Sequence, residues 1–171
     1  MCRLKCFKYI VCLVTVVLLA SHEGKAQRAA VTTDVLQWAA VSPNVGFEVA
    51  VSQHNAFVFS ASVCPVQVSD RLSVSHISIS PEYRYWFKMP FYGHYAGADL
   101  LYSSYDISGS LYQRAGNLLA ACADYGYSFI IGRRWNIVPH AGAGIGVDFG
   151  DKVTFIPLVV KIGINIQLVV K

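Results

Sequence analysis

From Trp135 to Phe149 the chain alternates between two kinds of residue. Asn136, His140, Gly142, Gly144, Gly146 and Asp148 share one parity, and Trp135, Ile137, Ala141, Ala143, Ile145, Val147 and Phe149 share the other. Successive side chains of a strand point to opposite faces, so a period of two predicts a β-strand with one greasy face and one small, polar face. Three more segments repeat the pattern. In 76–87, His76, Ser78, Ser80, Glu82, Arg84 and Trp86 oppose Ile77, Ile79, Pro81, Tyr83, Tyr85 and Phe87. In 44–52, Asn44, Gly46, Glu48, Ala50 and Ser52 oppose Val45, Phe47, Val49 and Val51, and near the end Lys161, Gly163, Asn165 and Gln167 oppose Ile162, Ile164, Ile166 and Leu168.

Breakers and charged pairs separate these runs at regular intervals: Ser42-Pro43-Asn44, Gln53-His54-Asn55, Ser69-Asp70-Arg71, Lys88-Met89-Pro90, Gly132-Arg133-Arg134 and Gly150-Asp151-Lys152. A longer connection from Ser104 to Leu118 completes the set, with the weak helical pattern of Leu111 to Ala121 broken by Gly116-Asn117. Eight runs in up-and-down order without an amphipathic helix predict an all-β fold, an eight-stranded antiparallel up-and-down barrel.

Sidedness decides which kind of barrel. A soluble barrel turns apolar residues inward and charge outward. Here the polar face consists of Gly, Ser, Asn and single charges, too small and sparse for a solvated exterior but suited to a narrow lumen. The chain therefore reads as a transmembrane β-barrel, lipid outside and side chains filling the inside. Aromatic residues around two turns, Tyr83, Tyr85, Trp86, Phe87, Phe91, Tyr92 and Tyr95, then Tyr125, Tyr127, Phe129 and Trp135, are expected to form an interfacial girdle.

The first residues change the charge picture. Arg3, Lys5 and Lys8 precede an apolar run from Tyr9 to Ala20, and Gly24-Lys25-Ala26 offers small residues to a signal peptidase. Residues 1–26 are expected to be a cleaved signal peptide and 27–171 the barrel, exported to the bacterial outer membrane. The apolar run falls short of the roughly 20 residues that a spanning helix needs. Of the 14 Lys and Arg and 10 acids, Arg3, Lys5, Lys8, Lys25 and Glu23 leave with the signal, so the mature chain is nearly neutral. No basic stripe remains for nucleic acid. Only Cys64 and Cys122 survive, without metal-ligand spacing, and are expected to be buried thiols. No cofactor is implied, and a monomer surrounded by outer-membrane lipid is expected.

The blocks Ser42-Pro43-Asn44-Val45-Gly46-Phe47-Glu48, Pro81-Glu82-Tyr83-Arg84-Tyr85-Trp86, Gly93-His94-Tyr95 and Tyr125-Gly126-Tyr127 followed by Arg134-Trp135-Asn136 occur in an order that resembles an uncharacterised barrel family of Bacteroides-type bacteria, domain of unknown function 3575. The resemblance spans nearly the whole mature chain. It implies a small outer-membrane barrel in a family some of whose members are encoded near fimbria-assembly proteins, with no enzymatic residues to carry over.

Candidate chemistry lies on the inward parity. Glu48, Glu82, Arg84, Asp99, Asp124, His140, Asp148 and Lys161 are expected to face one another across the lumen. An isolated buried charge costs several kcal/mol, so mutual pairing is expected, with Arg84 taking Glu82, Glu48 or Asp99. A salt-bridged plug is the favoured reading; a narrow pore or proton path is the alternative. With the N-terminus in the periplasm, the short turns at 53–55, 88–92 and 132–134 are periplasmic and the Ser104 to Leu118 loop is external. Its Tyr105, Asp106, Tyr112, Gln113 and Arg114 form a candidate contact surface for fimbrial or other cell-surface proteins. A lipid-modifying enzyme is the second class of function. It requires a nucleophilic Ser beside an oriented His, for which His76 with Ser78 and Ser80 is the candidate, His140 and Asp148 lying too far apart on one strand.

Overall fold

The alternating runs form eight antiparallel strands that close on themselves in chain order in a computed structural model, which describes residues 29–69, 72–109, 113–150 and 152–170. The strands are β1 (Ala29–Asp34), β2 (Asn44–Ala50), β3 (Asn55–Ser69), β4 (Leu72–Trp86), β5 (Gly93–Gly109), β6 (Gln113–Ile130), β7 (Trp135–Phe149) and β8 (Val153–Val170). β8 pairs with β1 from Ala29↔Val170 to Asp34↔Asn165, which closes the barrel. Every other strand pairs with its neighbours in sequence, as the up-and-down reading expects. The proposed signal segment lies outside the described residues.

Parity sorts the side chains as the sequence pattern requires. On β6, Phe129, Tyr125, Ala123, Ala121 and Leu119 are exposed on the outside while Asp124, Cys122 and Ala120 are buried inside. That outward stretch, Leu119 to Phe129 of a strand tilted by about 40°, spans about 25 Å along the barrel axis at about 3.3 Å per residue step. Exposed Phe47, Phe57, Phe59, Ile77, Ile79, Leu100, Ile145, Val160 and Ile162 continue the band around the barrel. Beyond it, at the end opposite the termini, Ser104, Asp106 and Gln113 take over the outer face, and the Tyr102 hydroxyl donates to Asn117 Oδ1 at 2.9 Å at the boundary.

Three expectations are corrected. The described residues of the Ser104 to Leu118 segment are strand rather than loop: β5 and β6 pair continuously from Gly93↔Ser128 to Ser108↔Gln113. Backbone hydrogen bonds carry this hairpin past the apolar band, where the outer face no longer has to be greasy. Second, the β1–β2 connection holds a short helix, α1 (Val35–Ala39), that the sequence reading lacked. The Asp34 carboxylate starts it by accepting from Leu36 N and Gln37 N at 2.8 and 3.2 Å. Val41, at φ +56°, turns the chain out of it. Third, Trp86, Phe91 and Tyr95 belong to the core rather than to the girdle. Phe91, at φ +67°, folds back under Trp86 with ring centroids 6.2 Å apart. The girdle is left to outward rings in contact, Phe57–Tyr83, Tyr85–Phe87, Phe87–Tyr125 and Tyr127–Phe129.

Candidate functional site

The inward residues of five strands meet at one level of the lumen. β2 contributes Glu48, β4 contributes Glu82 and Arg84, β5 Asp99, β6 Asp124 and β8 Lys161. Arg84, buried, is the centre. Its Nε and Nη2 donate to Glu82 Oε1 and Oε2 at 2.5 and 3.0 Å, and its Nη1 donates to Glu48 Oε2 at 2.8 Å. Such two-pronged contacts use the planar fork of the guanidinium. The Tyr95 ring lies against the same cation, 4.5 Å from ring centroid to Cζ.

Arg84 therefore takes Glu82 and Glu48, two of its three expected partners. Asp99 goes to Lys161, Oδ2 to Nζ at 3.3 Å, with Glu82 Oε2 3.9 Å from the same ammonium. Carboxylates here outnumber fixed cations, and neutral donors make up the difference. Trp86 Nε1 and Gln167 Nε2 donate to Glu48 at 3.1 and 2.8 Å, Ser80 Oγ to Asp99 at 2.9 Å, and Tyr95 OH to Asp124 at 3.2 Å. Each such bond supplies some of the hydration that a buried carboxylate gives up.

Glycine on the inward parity makes room for this network. A Cβ on Gly126 would sit 2.7 Å from Tyr95 Cζ, and one on Gly97 2.7 Å from Glu82 Oε1. Toward the terminal end the lumen is filled: Trp86, Tyr95, Val138 and Ala56 form a buried cluster. Below them the Phe91 carbonyl accepts from Ser128 Oγ and Asn136 Nδ2, and Asn136 Nδ2 also donates to Gln167 Oε1. Above the charge cluster lies a cavity of about 120 Å³ bordered by Ser80, Asp99, Leu101, His140, Lys161 and Gln37. A wider vestibule of about 600 Å³ at the far end is lined by Cys64, His76, Tyr105, Gly116 and Asn117.

Two of the expected lumenal residues stand apart from the cluster. His140 Nε2 lies 3.3 Å from Asp34 Oδ2, tying β7 to the residue that caps α1. Asp148 sits near the far end, where Tyr105 OH donates to it at 2.7 Å and Arg114 forms an ion pair with it. This corrects the expected contact surface. Tyr105 and Arg114 point into the barrel because the paired hairpin fixes their parity, Asp106 and Gln113 remain exposed outside, and Tyr112 lies outside the described residues. The Trp86, Tyr95, Gln167 and Asp34 side chains were missing from the sequence-predicted set. Trp86 and Gln167 could have been found by parity, since they share a face with Arg84 and Lys161.

The candidate enzyme residues are dispersed. Ser78 Oγ and Ser62 Oγ are 2.6 Å apart, Ser80 serves Asp99, and His76 Nε2 lies 3.2 Å from Ser42 Oγ, a buried hydroxyl on the segment after α1. Among the described residues no group of His, Cys, Asp and Glu has metal-binding geometry. Cys64 and Cys122 are free and buried.

Residues 10–155 match the family described as Protein of unknown function (DUF3575). No curated protein sequence is similar to the chain. The N-terminal β-barrel domain of Pseudomonas aeruginosa OprF is similar in fold, at 13% identity and a TM-score of 0.51 over 86% of this chain and 100% of that one. Neisserial surface protein A (NspA) aligns at 13% identity and a TM-score of 0.49, covering 83% of this chain and 93% of that one.

Proposed function

The chain belongs to the family Protein of unknown function (DUF3575), and on that footing we propose that it is a sealed outer-membrane β-barrel, exported by its signal peptide, that anchors cell-surface hairpins rather than conducting solutes or catalysing a reaction. The observation that carries this reading is the inversion of sidedness. Phe47, Phe59, Ile77, Leu100, Ile145 and Ile162 are exposed around the outside while Glu48, Glu82 and Arg84 are buried within. In water that arrangement would expose a continuous apolar band far larger than the patches monomeric proteins tolerate; in a bilayer it is the stable one.

The plug supports the absence of conduction. An eight-stranded interior is just wide enough for side chains to fill, and here Trp86, Tyr95 and the Arg84 ion pairs occupy it. The engagement of Ser78 with Ser62, of Ser80 with Asp99 and of His76 with Ser42 favours a non-enzymatic role. The exposed Asp106 and Gln113 on the β5–β6 hairpin are the contact positions proposed for a fimbrial or other cell-surface protein.

Three experiments test the reading. The protein should fractionate with the outer membrane and migrate faster in detergent gels when unheated. In planar bilayers it should give no discrete conductance steps. A photocrosslinker at Asp106 in intact cells should recover one specific surface protein; recovery of none would remove the accessory role and leave a structural barrel. Altered membrane lipid species that revert in a His76→Ala variant would overturn the non-enzymatic reading.

A further inference from the structure

We infer that the barrel wall between β3 and β8 contains a lateral port through which an acyl chain of a membrane lipid reaches the apolar inner wall of β5, β6 and β8 in the far half of the lumen. The inference rests on the membrane residence proposed above.

The port follows from unequal strand lengths. β1 pairs with β8 only as far as Asp34↔Asn165, and β2 with β3 only as far as Asn44↔Ser62. Beyond that level β3 continues to Ser69 and β8 runs from Val153, with no described strand between them. Two strands absent from a wall spaced at about 4.8 Å leave a gap of roughly 10 Å. Among the described residues α1 packs on β8 in this space, and Pro43 after it accepts from Val63 N at 3.0 Å. The gap opens within the apolar band: Val63 on one flank and Leu158, Val160 and Ile162 on the other are exposed outside, as are Val35, Leu36, Trp38 and Val41 of the α1 segment.

Inside, at the same level, the β5–β8 wall turns apolar while the β3–β4 wall keeps Ser62, Ser78 and His76. Leu101 pairs with Ala120, Leu118 with Asp148, Ile156 with Gly146 and Val159 with Gly144. Cross-strand partners share a face, so all four face inward with those lumenal residues, and all four remain half-exposed. A Cβ on Gly146 would lie 3.2 Å from Leu118 Cδ1, consistent with that direction. Half-exposed apolar side chains within a polar lumen, beside an opening to lipid, favour a hydrocarbon occupant over water.

The occupant is a lipid rather than a second copy of the chain. Both flanks of the gap carry a proline, Pro65 on β3 and Pro157 on β8, and the register of β8 against β7 shifts between Gly144 and Gly146. Prolines and bulges blunt an edge against strand addition. The remaining edge N–H groups need acceptors at bilayer depth, and the ester oxygens of a threaded lipid provide them where hydrocarbon alone would not.

The test is photolabelling in phosphatidylglycerol vesicles doped with a phosphatidylethanolamine whose acyl chain ends in a diazirine, with insertion sites mapped by peptide mass spectrometry. Insertion is expected at inward Leu101, Leu118 and Ile156 as well as at outward Leu158, Val160 and Ile162. A Val159→Trp variant, or Leu101→Phe if the first fails the heat-modifiability check for folding, should reduce inward insertion at least fivefold and leave outward insertion unchanged. Insertion at outward residues alone overturns the port while leaving the membrane barrel intact. Insertion at neither face overturns the membrane residence itself.

Discussion

Replacing Arg84 with Met keeps most of the side-chain volume and removes the charge on which Glu48 and Glu82 converge. Three donor contacts of 2.5 to 3.0 Å disappear together, and both carboxylates stay buried. Removing one partner of a buried ion pair costs about 3–5 kcal/mol because the remaining charge is uncompensated. Lys161 lies 3.9 Å from Glu82 and relieves part of that, whereas Glu48 retains only the neutral donors Trp86 and Gln167. The expected loss is therefore about 3–4 kcal/mol, more than a hundredfold in the folding equilibrium at 1.4 kcal/mol per factor of ten. Reversible urea unfolding from lipid vesicles, followed by tryptophan fluorescence, measures it. A triple variant in which Arg84→Met is joined by Glu48→Gln and Glu82→Gln should recover at least half of the loss, since no uncompensated charge remains. A loss below about 1 kcal/mol for the single variant would refute this reasoning, because that is the range of solvent-screened pairs and would mean a hydrated lumen. A triple variant no more stable than the single one would refute it equally.

Three smaller perturbations probe other parts of the same packing. Gly126→Ala pushes a methyl against Tyr95 and its bond to Asp124, and should cost about 1–3 kcal/mol in the same urea assay, as overpacking does. Asp34→Ala removes both the α1 cap and the His140 partner; it should raise protease sensitivity between β1 and β2 and cost about 1–2 kcal/mol, while Asp34→Asn keeps the cap and recovers part of that. Val41→Gly relieves a β-branched residue at φ +56° and should raise the unfolding midpoint by the equivalent of about 1 kcal/mol, the size of such strain.

The wall was legible in the sequence because its signal is local. A strand between lipid and a packed lumen must alternate, and β2, β4 from His76, most of β7 and β8 from Lys161 do so. Legibility stopped where that requirement stopped. Past Tyr102 and Leu119 the β5–β6 hairpin leaves the apolar band, its outward positions become Ser104, Asn117, Asp106 and Gln113, and contrast between the faces vanishes although pairing continues. Tyr95 was misassigned for a related reason. It follows an irregular turn at Phe87 to Tyr92, so its parity could not be carried over from β4, and proximity in sequence to outward aromatics stood in for geometry. The ion pairs needed registers between distant strands: that Arg84 meets Glu48 while Lys161 meets Asp99 follows from β2–β3–β4 and β8–β7–β6–β5 stagger, which no single strand encodes. The α1 cap at Asp34 was available as a helix-start signal, but five residues carry too little periodicity to announce a helix.

The central claim, lipid outside and a lumen sealed against solutes inside, is tested most directly by a nitroxide scan along β3 from Phe57 to Ala61 in lipid vesicles, reading collision with oxygen and with a water-soluble nickel chelate at each position. The account predicts a period of two, with high oxygen collision at 57, 59 and 61 and low collision with both reagents at 58 and 60, below the level of the port. Chelate collision at the outward positions would contradict the membrane barrel, and chelate collision at the inward positions would contradict the sealed lumen.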